Sequence, residues 1–125
     1  MANSGETETN QYSVFNIDRA VNLADSVSVA GSSPLRKRGL LGVDTLQAGA
    51  GLWIAPCEAV HTFGMRMPID VVFLDRAFRV RKIVSGLRPW RIAFALKACS
   101  VLELEAGAIS RTETSIGDRL RFQAR

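Results

Sequence analysis

Phe15, Ile17, Val21 and Leu23 are apolar positions interleaved with Asn16, Asp18 and Asn22, the period-two pattern that sets one row of side chains on a core and the other in water. It predicts a half-buried strand, and Arg19, which breaks the inward row, predicts a hairpin or bulge. GSSPLRKRGLLG at 31–42 predicts a short helix: Ser33 caps it, Pro34 suits its first position, Gly42 ends the turn, and Leu35 with Leu40 or Leu41 forms its apolar face. AGAGLWIAPC at 48–57 places flexible glycines before a short strand through Leu52, Trp53 and Ile54 that stops at Pro56. The run IDVVFL at 69–74 is nearly continuous in β-branched and aromatic residues, which predicts a central strand covered on both faces. After a tight turn at 75–77, Phe78, Val80 and Val84 share one side of a second strand and Arg79 and Arg81 take the other, completing a hairpin.

SVLELE at 100–105 and DRLRFQ at 118–123 each alternate leucine or phenylalanine with charge, so both read as strands with one wet face. Paired with each other, they would set outward glutamates against outward arginines. AGAISRTETSIGD between them has the length of a short helix or turn. Residues 87–98 combine helix-favouring Ala, Leu and Lys with a turn-like start at Pro89 and Trp90, and read as a loop with a helical turn. Residues 1–11 are polar and without periodicity, the pattern of a flexible tail ahead of a single β-rich domain at 12–125. The sum is an α+β, mainly β fold: a compact barrel-like or sandwich sheet with one or two short helices.

Composition narrows the class. With 125 residues, 47% hydrophobic and 22% charged, the chain can build one core and is neither disordered nor collagen-like. No apolar run reaches the roughly 18 to 20 residues of a membrane span. The opening MANSGETETNQ has neither the basic nor the apolar region of an export signal, so a cytoplasmic location is expected. A net charge of +4 favours an anionic partner only mildly, because the arginines are scattered. Cys57 and Cys99 are isolated thiols, expected to be reduced and partly buried.

GLLG at 39–42, PCEAVHTFGMRMPIDVVFLD at 56–75, SVLELEAG at 100–107 and IGDRL at 116–120 occur in this order. Together they resemble the uncharacterised bacterial family known as domain of unknown function 192, over residues 13–122. The resemblance implies a small β-rich α+β domain with no established reaction, cofactor or catalytic residue. Many family members have an F-W-M-K-N-T-type stretch where this chain has Val60 to Met65, so His61 stands in place of their Trp.

Candidate chemistry concentrates in loop 56–70. Cys57 and His61, four apart, could join a thiol to an imidazole for nucleophilic catalysis or metal binding, with Asp70, Cys99 or Glu58 completing a ligand set. No CxxC motif supports a metal, and a packed cysteine beside a half-buried imidazole is the more ordinary reading. Asp70, at the entrance to the apolar strand, reads as a turn-capping carboxylate or a binding group. Phe63, Met65 and Met67 fill a core or line a groove. Arg36, Lys37 and Arg38, with Arg88 and Arg91 flanking Trp90, are either a solvated face or an anion pocket. Nucleotide-fold, serine-hydrolase and zincin motifs are absent from the sequence.

The leading reading is a non-catalytic binding or accessory module. Its groove uses His61, Phe63, Met65 and Asp70, with Trp90 and Arg91 contributing, and takes a protein partner or small anionic ligand without a cofactor. The alternative is a small hydrolase or metal-dependent enzyme using Cys57, His61 and Asp70. A second alternative is weak nucleic-acid or anion binding through the arginines.

Overall fold

The computed structural model describes residues 11–125. The expected tail therefore lies outside the described residues, except that Gln11 already opens a strand. The strands are β1 (Gln11–Asn16), β2 (Val21–Ala30), β3 (Ala50–Ile54), β4 (Ala59–His61), β5 (Ile69–Leu74), β6 (Val80–Leu87), β7 (Ile92–Phe94), β8 (Ser100–Glu105) and β9 (Leu120–Ala124). Two short helices, α1 (Ser33–Arg38) and α2 (Ala108–Thr112), complete the elements of the described residues. Seven strands form one sheet in the order β6-β5-β8-β3-β2-β1-β9, and β4 pairs with β7 in a separate two-stranded sheet. All neighbours are antiparallel except β2 and β3, whose parallel pairing requires the crossover that carries α1.

The seven-stranded sheet curls until its two ends touch. Arg79 and Arg119 form a bridge, the Val80 N–H donates to the Asp118 carbonyl at 2.8 Å, and the Leu120 N–H donates to the Phe78 carbonyl at 2.9 Å. The Asp118 side chain anchors this seam by accepting from Asn16 Nδ2 at 3.0 Å, the Ser115 N–H at 2.9 Å and Arg19 Nε at 3.1 Å. Burial raises its pKa, but these donors outweigh burial and hold the carboxyl below its usual range. The expected barrel-like, mainly β architecture is the one observed.

Two cores result. Val14, Val27, Val72, Leu74, Leu102 and Leu104 fill the inside of the curl. Ile54, Val71, Phe73 and Val101 look the other way and are covered by Leu40, Met65 and the β4–β7 pair. This two-sided cover explains why all of β5 is buried. It lies second from the sheet edge, however, and β3 takes the middle.

Local expectations shift for identifiable reasons. Ser32, not Ser33, caps α1, its Oγ accepting from the Leu35 N–H at 3.3 Å, and the helix ends at Gly39 rather than Gly42. Leu35 is exposed, leaving Leu40 to supply the apolar contact. A register shift between Phe73 and Leu74 inserts a bulge in the β5–β6 pair, so Val80 and Ile83 face the inside of the curl and Val84 faces outward. Residues 92–94 form β7 rather than a helical turn. The strands β8 and β9 do not pair: β8 lies between β5 and β3, and β9 against β1.

Gly51 shows what the middle of the sheet requires. A Cβ there would lie 2.8 Å from the Glu103 carbonyl oxygen and 2.8 Å from Leu104 Cδ2. Its role is close strand approach, not flexibility. Gly51→Ala is expected to cost about 1–3 kcal/mol by overpacking, read as a lowered urea midpoint with an unchanged slope. A variant as stable as the parent would contradict this packing.

Candidate functional site

Between α1 and the outward face of β3 and β8 lies a cavity of about 430 Å³. Leu40, Ile54, Val60 and Met65 supply its apolar wall, while Arg36 to Arg38, Cys57 and His61 line its polar parts. Glu103 also lines it. The alternation of SVLELE marks Glu103 as a surface acid, yet its residue is only 2% exposed. The reason is topological: β8 is flanked by β3 and β5, with Leu52 and Val71 directly beside Glu103, and this face is covered by the α1 crossover. Glu105, one step beyond that cover, is the acid that finds a partner, accepting two bonds from Arg111 at 3.1 and 3.2 Å.

Glu103 Oε1 is buried and has no hydrogen-bond partner. A Cβ added to Gly39 would stand 3.7 Å from that oxygen, so the end of α1 lies against the carboxyl group. Burial pushes the Glu103 carboxyl up to about 7. Near neutral pH it can donate as an acid or accept as a carboxylate.

Cys57 and His61 reach the same cavity but do not engage each other. The Cys57 thiol donates to the Ala59 carbonyl at 3.1 Å, and His61 Nδ1 accepts from the Phe63 N–H at 3.3 Å. Burial pushes the Cys57 thiol above its usual range, which disfavours the thiolate that nucleophilic chemistry needs. Cys99 is free and exposed rather than partly buried, and its carbonyl accepts from the Cys57 N–H. Among the described residues, no three His, Cys, Asp or Glu side chains are placed to hold a metal ion.

Asp70 lies on the opposite face of the sheet. It pairs with Leu104, inside the curl, whereas the next pair along is Val71 with Glu103. Its carboxylate is saturated: Oδ1 accepts from the Gly86 N–H at 2.8 Å, and Oδ2 accepts from the N–H groups of Gly107 at 3.1 Å and Ile109 at 2.9 Å. Asp70 thus ties β6 to the start of α2, and the sheet separates it from Cys57 and His61.

The remaining candidates divide. Met65 is buried in the cavity wall and Met67 packs against the same core. Phe63 is exposed and stacks between His61, at a centroid distance of 5.1 Å, and Trp90, at 5.7 Å. Arg91 is also exposed, outside the cavity. Thr62 organises this corner and escaped sequence reasoning: fully buried, its Oγ1 donates to the Arg88 carbonyl at 2.6 Å and accepts from the Arg91 N–H at 2.8 Å. A threonine beside an unrecognised strand gives no periodic signal of such a role.

The family model for domain of unknown function 192, described as Uncharacterized ACR, matches residues 15–122. The chain belongs to the DUF192 family. That span agrees with the extent of the resemblance read from its sequence segments. A curated relative, the UPF0127 protein PH1112 of Pyrococcus horikoshii, is 32% identical over 77 residues, covering 57% of this chain and 66% of that protein, just under two thirds of its length. A solved structure from Sinorhizobium meliloti 1021, proposed as a transcription regulator, superposes with a TM-score of 0.82 at 20% identity, covering 96% of this chain and 98% of the other. A protein of unknown function from Novosphingobium aromaticivorans DSM 12444 gives 0.78 at 17% identity, covering 97% and 98%. These likenesses show that the curled sheet is shared, and they assign this DUF192 domain no reaction. Among its described residues, no helix is long and apolar enough to cross a membrane.

Proposed function

We propose that this DUF192 domain is a non-catalytic binding module that takes a small organic anion in the cavity beneath α1. The carrying observation is the unpartnered, buried Oε1 of Glu103 among apolar walls. A buried polar atom without a partner is costly, and a ligand group placed beside it recovers the missing hydrogen bond. The lining chemistry describes the ligand. Its hydroxyl would meet Glu103, its apolar body would lie on Leu40, Val60 and Met65, and its negative charge would face Arg36 to Arg38. A hydroxyl suits Glu103 in either protonation state, since it both donates and accepts. Catalysis by Cys57, His61 and Asp70 has less support, because the thiol and imidazole are bonded elsewhere and Asp70 faces away. Two free thiols, one of them exposed, support a reducing, cytoplasmic location.

A suitable probe is 4-hydroxybenzoate, which carries a hydroxyl, an apolar ring and a carboxylate. Titration at millimolar concentration, the range of a weak surrogate ligand, is expected to move the backbone amide resonances of Gly39, Leu40, Val60 and His61. Ala59→Trp, which adds bulk at an exposed lining position, is expected to abolish those shifts. Shifts scattered over the arginines, or shifts that persist in Ala59→Trp, would reject the cavity as the site.

A further inference from the structure

Along β7 and its two flanking turns, the usual alternation is inverted. Ala93 and Ala95 are buried, while Trp90, Ile92, Phe94 and Leu96 are 64%, 63%, 56% and 74% exposed. The bulky apolar side chains face out and the small ones face in. Phe63 stacks on Trp90 and extends the patch toward the cavity mouth. Exposed apolar residues gathered in this way mark an interaction surface, unlike ones scattered singly.

Trp90 is held in this position. Its backbone is left-handed, with φ 67°, and Lys97 on the other side of β7 has φ 69°. Such conformations cost a non-glycine residue about 1–2 kcal/mol. Thr62 holds the first turn: beyond its hydroxyl bonds to residues 88 and 91, its carbonyl accepts from the Trp90 N–H at 3.0 Å.

The charge around the patch is mostly positive. The sequence contains no Asp or Glu between Asp75 and Glu103, a stretch that includes Lys82, Arg88, Arg91 and Lys97. Arg88, Arg91 and Lys97 are exposed, and Lys82 Nζ lies beneath the patch, donating to the Phe94 carbonyl at 2.7 Å. An exposed acid, Glu58, lies beside the β4–β7 pair, its carbonyl accepting from the Ala95 N–H.

We infer that this face docks peripherally on an anionic lipid surface, with Trp90, Ile92, Phe94 and Leu96 entering the headgroup region and Arg88, Arg91 and Lys97 meeting lipid phosphates. Four side chains more than half exposed project outward, so the partner must yield around them, as a fluid interface does. Indole rings and flanking cations are the groups that such an interface favours. A second copy of the chain is disfavoured, because face-to-face pairing would set arginine against arginine with few carboxylates to intervene. The inference is independent of what occupies the cavity.

The full chain is to be sedimented with phosphatidylcholine vesicles containing about one third phosphatidylglycerol, an anionic surface, and with pure phosphatidylcholine vesicles. Binding is expected to the first and not the second, to weaken with salt, and to shift Trp90 fluorescence to the blue. The pair Trp90→Ser with Leu96→Ser, and separately the pair Arg88→Ser with Arg91→Ser, should each weaken binding by about tenfold or more. Both pairs should keep the parental circular dichroism and urea midpoint, since the replaced side chains are largely exposed. Lack of binding at low salt, or undiminished binding by either pair, overturns the proposal. So does a dimer of the parent chain that dissociates in the variant carrying Trp90→Ser with Leu96→Ser, or a duplex DNA affinity that the paired variants lose in place of vesicle affinity.

Discussion

Asp70→Ala is expected to lower the unfolding free energy by about 3–5 kcal/mol, because it removes a buried carboxylate from three backbone donors at once. The donors lie on two elements that the chain must bring together, Gly86 in β6 and Gly107 with Ile109 at the start of α2. Without the carboxylate, the Ile109 N–H is left unpaired in a buried setting, and the half-buried N–H groups of Gly86 and Gly107 lose the acceptor that joins β6 to α2. Asp70→Asn separates charge from shape: its carbonyl can still serve Gly107 and Ile109, but its amide nitrogen then opposes the Gly86 N–H, donor against donor. Its loss should be smaller, about 2–3 kcal/mol. Urea unfolding followed by circular dichroism measures both. Domains of this size have about 5–15 kcal/mol in total, so the alanine variant should be partly unfolded at mild urea concentrations. An Asp70→Ala chain within about 1 kcal/mol of the parent would show that the three bonds carry little net energy. Titration of Asp70→Asn with 4-hydroxybenzoate adds a second readout, since a residue across the sheet from the cavity should leave binding unchanged.

Periodicity made most of the sheet legible. The runs at 69–74 and 100–105 are strands where continuous apolarity and alternation predict them, β9 overlaps the strand expected at 118–123, and the alternation through Phe15 to Leu23 belongs to two strands, β1 and β2, joined by a turn that holds Arg19. It failed where a residue's surroundings come from distant chain segments. Glu103 alternates with leucines as a wet-face acid would, and only the placement of β8 between β3 and β5 under the α1 crossover buries it. Trp90 to Leu96 misled in the opposite sense: an inverted strand with its bulk in water has no inward apolar row to detect. Asp70 was legible as a capping carboxylate from its place before an apolar run. Its separation from Cys57 and His61 was not, because which face a strand residue takes depends on pairing register. His61, Met65 and Cys57 do gather at one cavity, and the short spacing of loop 56–70 accounts for that.

Glu103 leads to the second large expected effect, a stability that falls as pH rises. Burial moves its carboxyl from 4.5 to about 7, a displacement equivalent to about 3 kcal/mol. Between those values the native state keeps a proton that the unfolded chain has released, so the unfolding free energy decreases with pH across this window and levels off above about 7. Glu103→Gln keeps the shape and cannot ionise. It should match the parent near pH 4.5, exceed it by about 3 kcal/mol at pH 8, and lack this component of the slope between. Comparing parent and variant by urea unfolding at each pH cancels the groups they share. A variant with the parental slope, or one less stable than the parent at pH 8, would mean that the carboxyl is not the isolated buried acid described. The same replacement tests its use. If Glu103 is the hydrogen-bonding point for a ligand hydroxyl, glutamine at pH 8 should stabilise the empty domain and yet weaken 4-hydroxybenzoate binding, since at that pH the parent offers a carboxylate and the variant only a neutral amide. Stability and affinity would then move in opposite directions, as expected where a destabilising group is kept for what it binds.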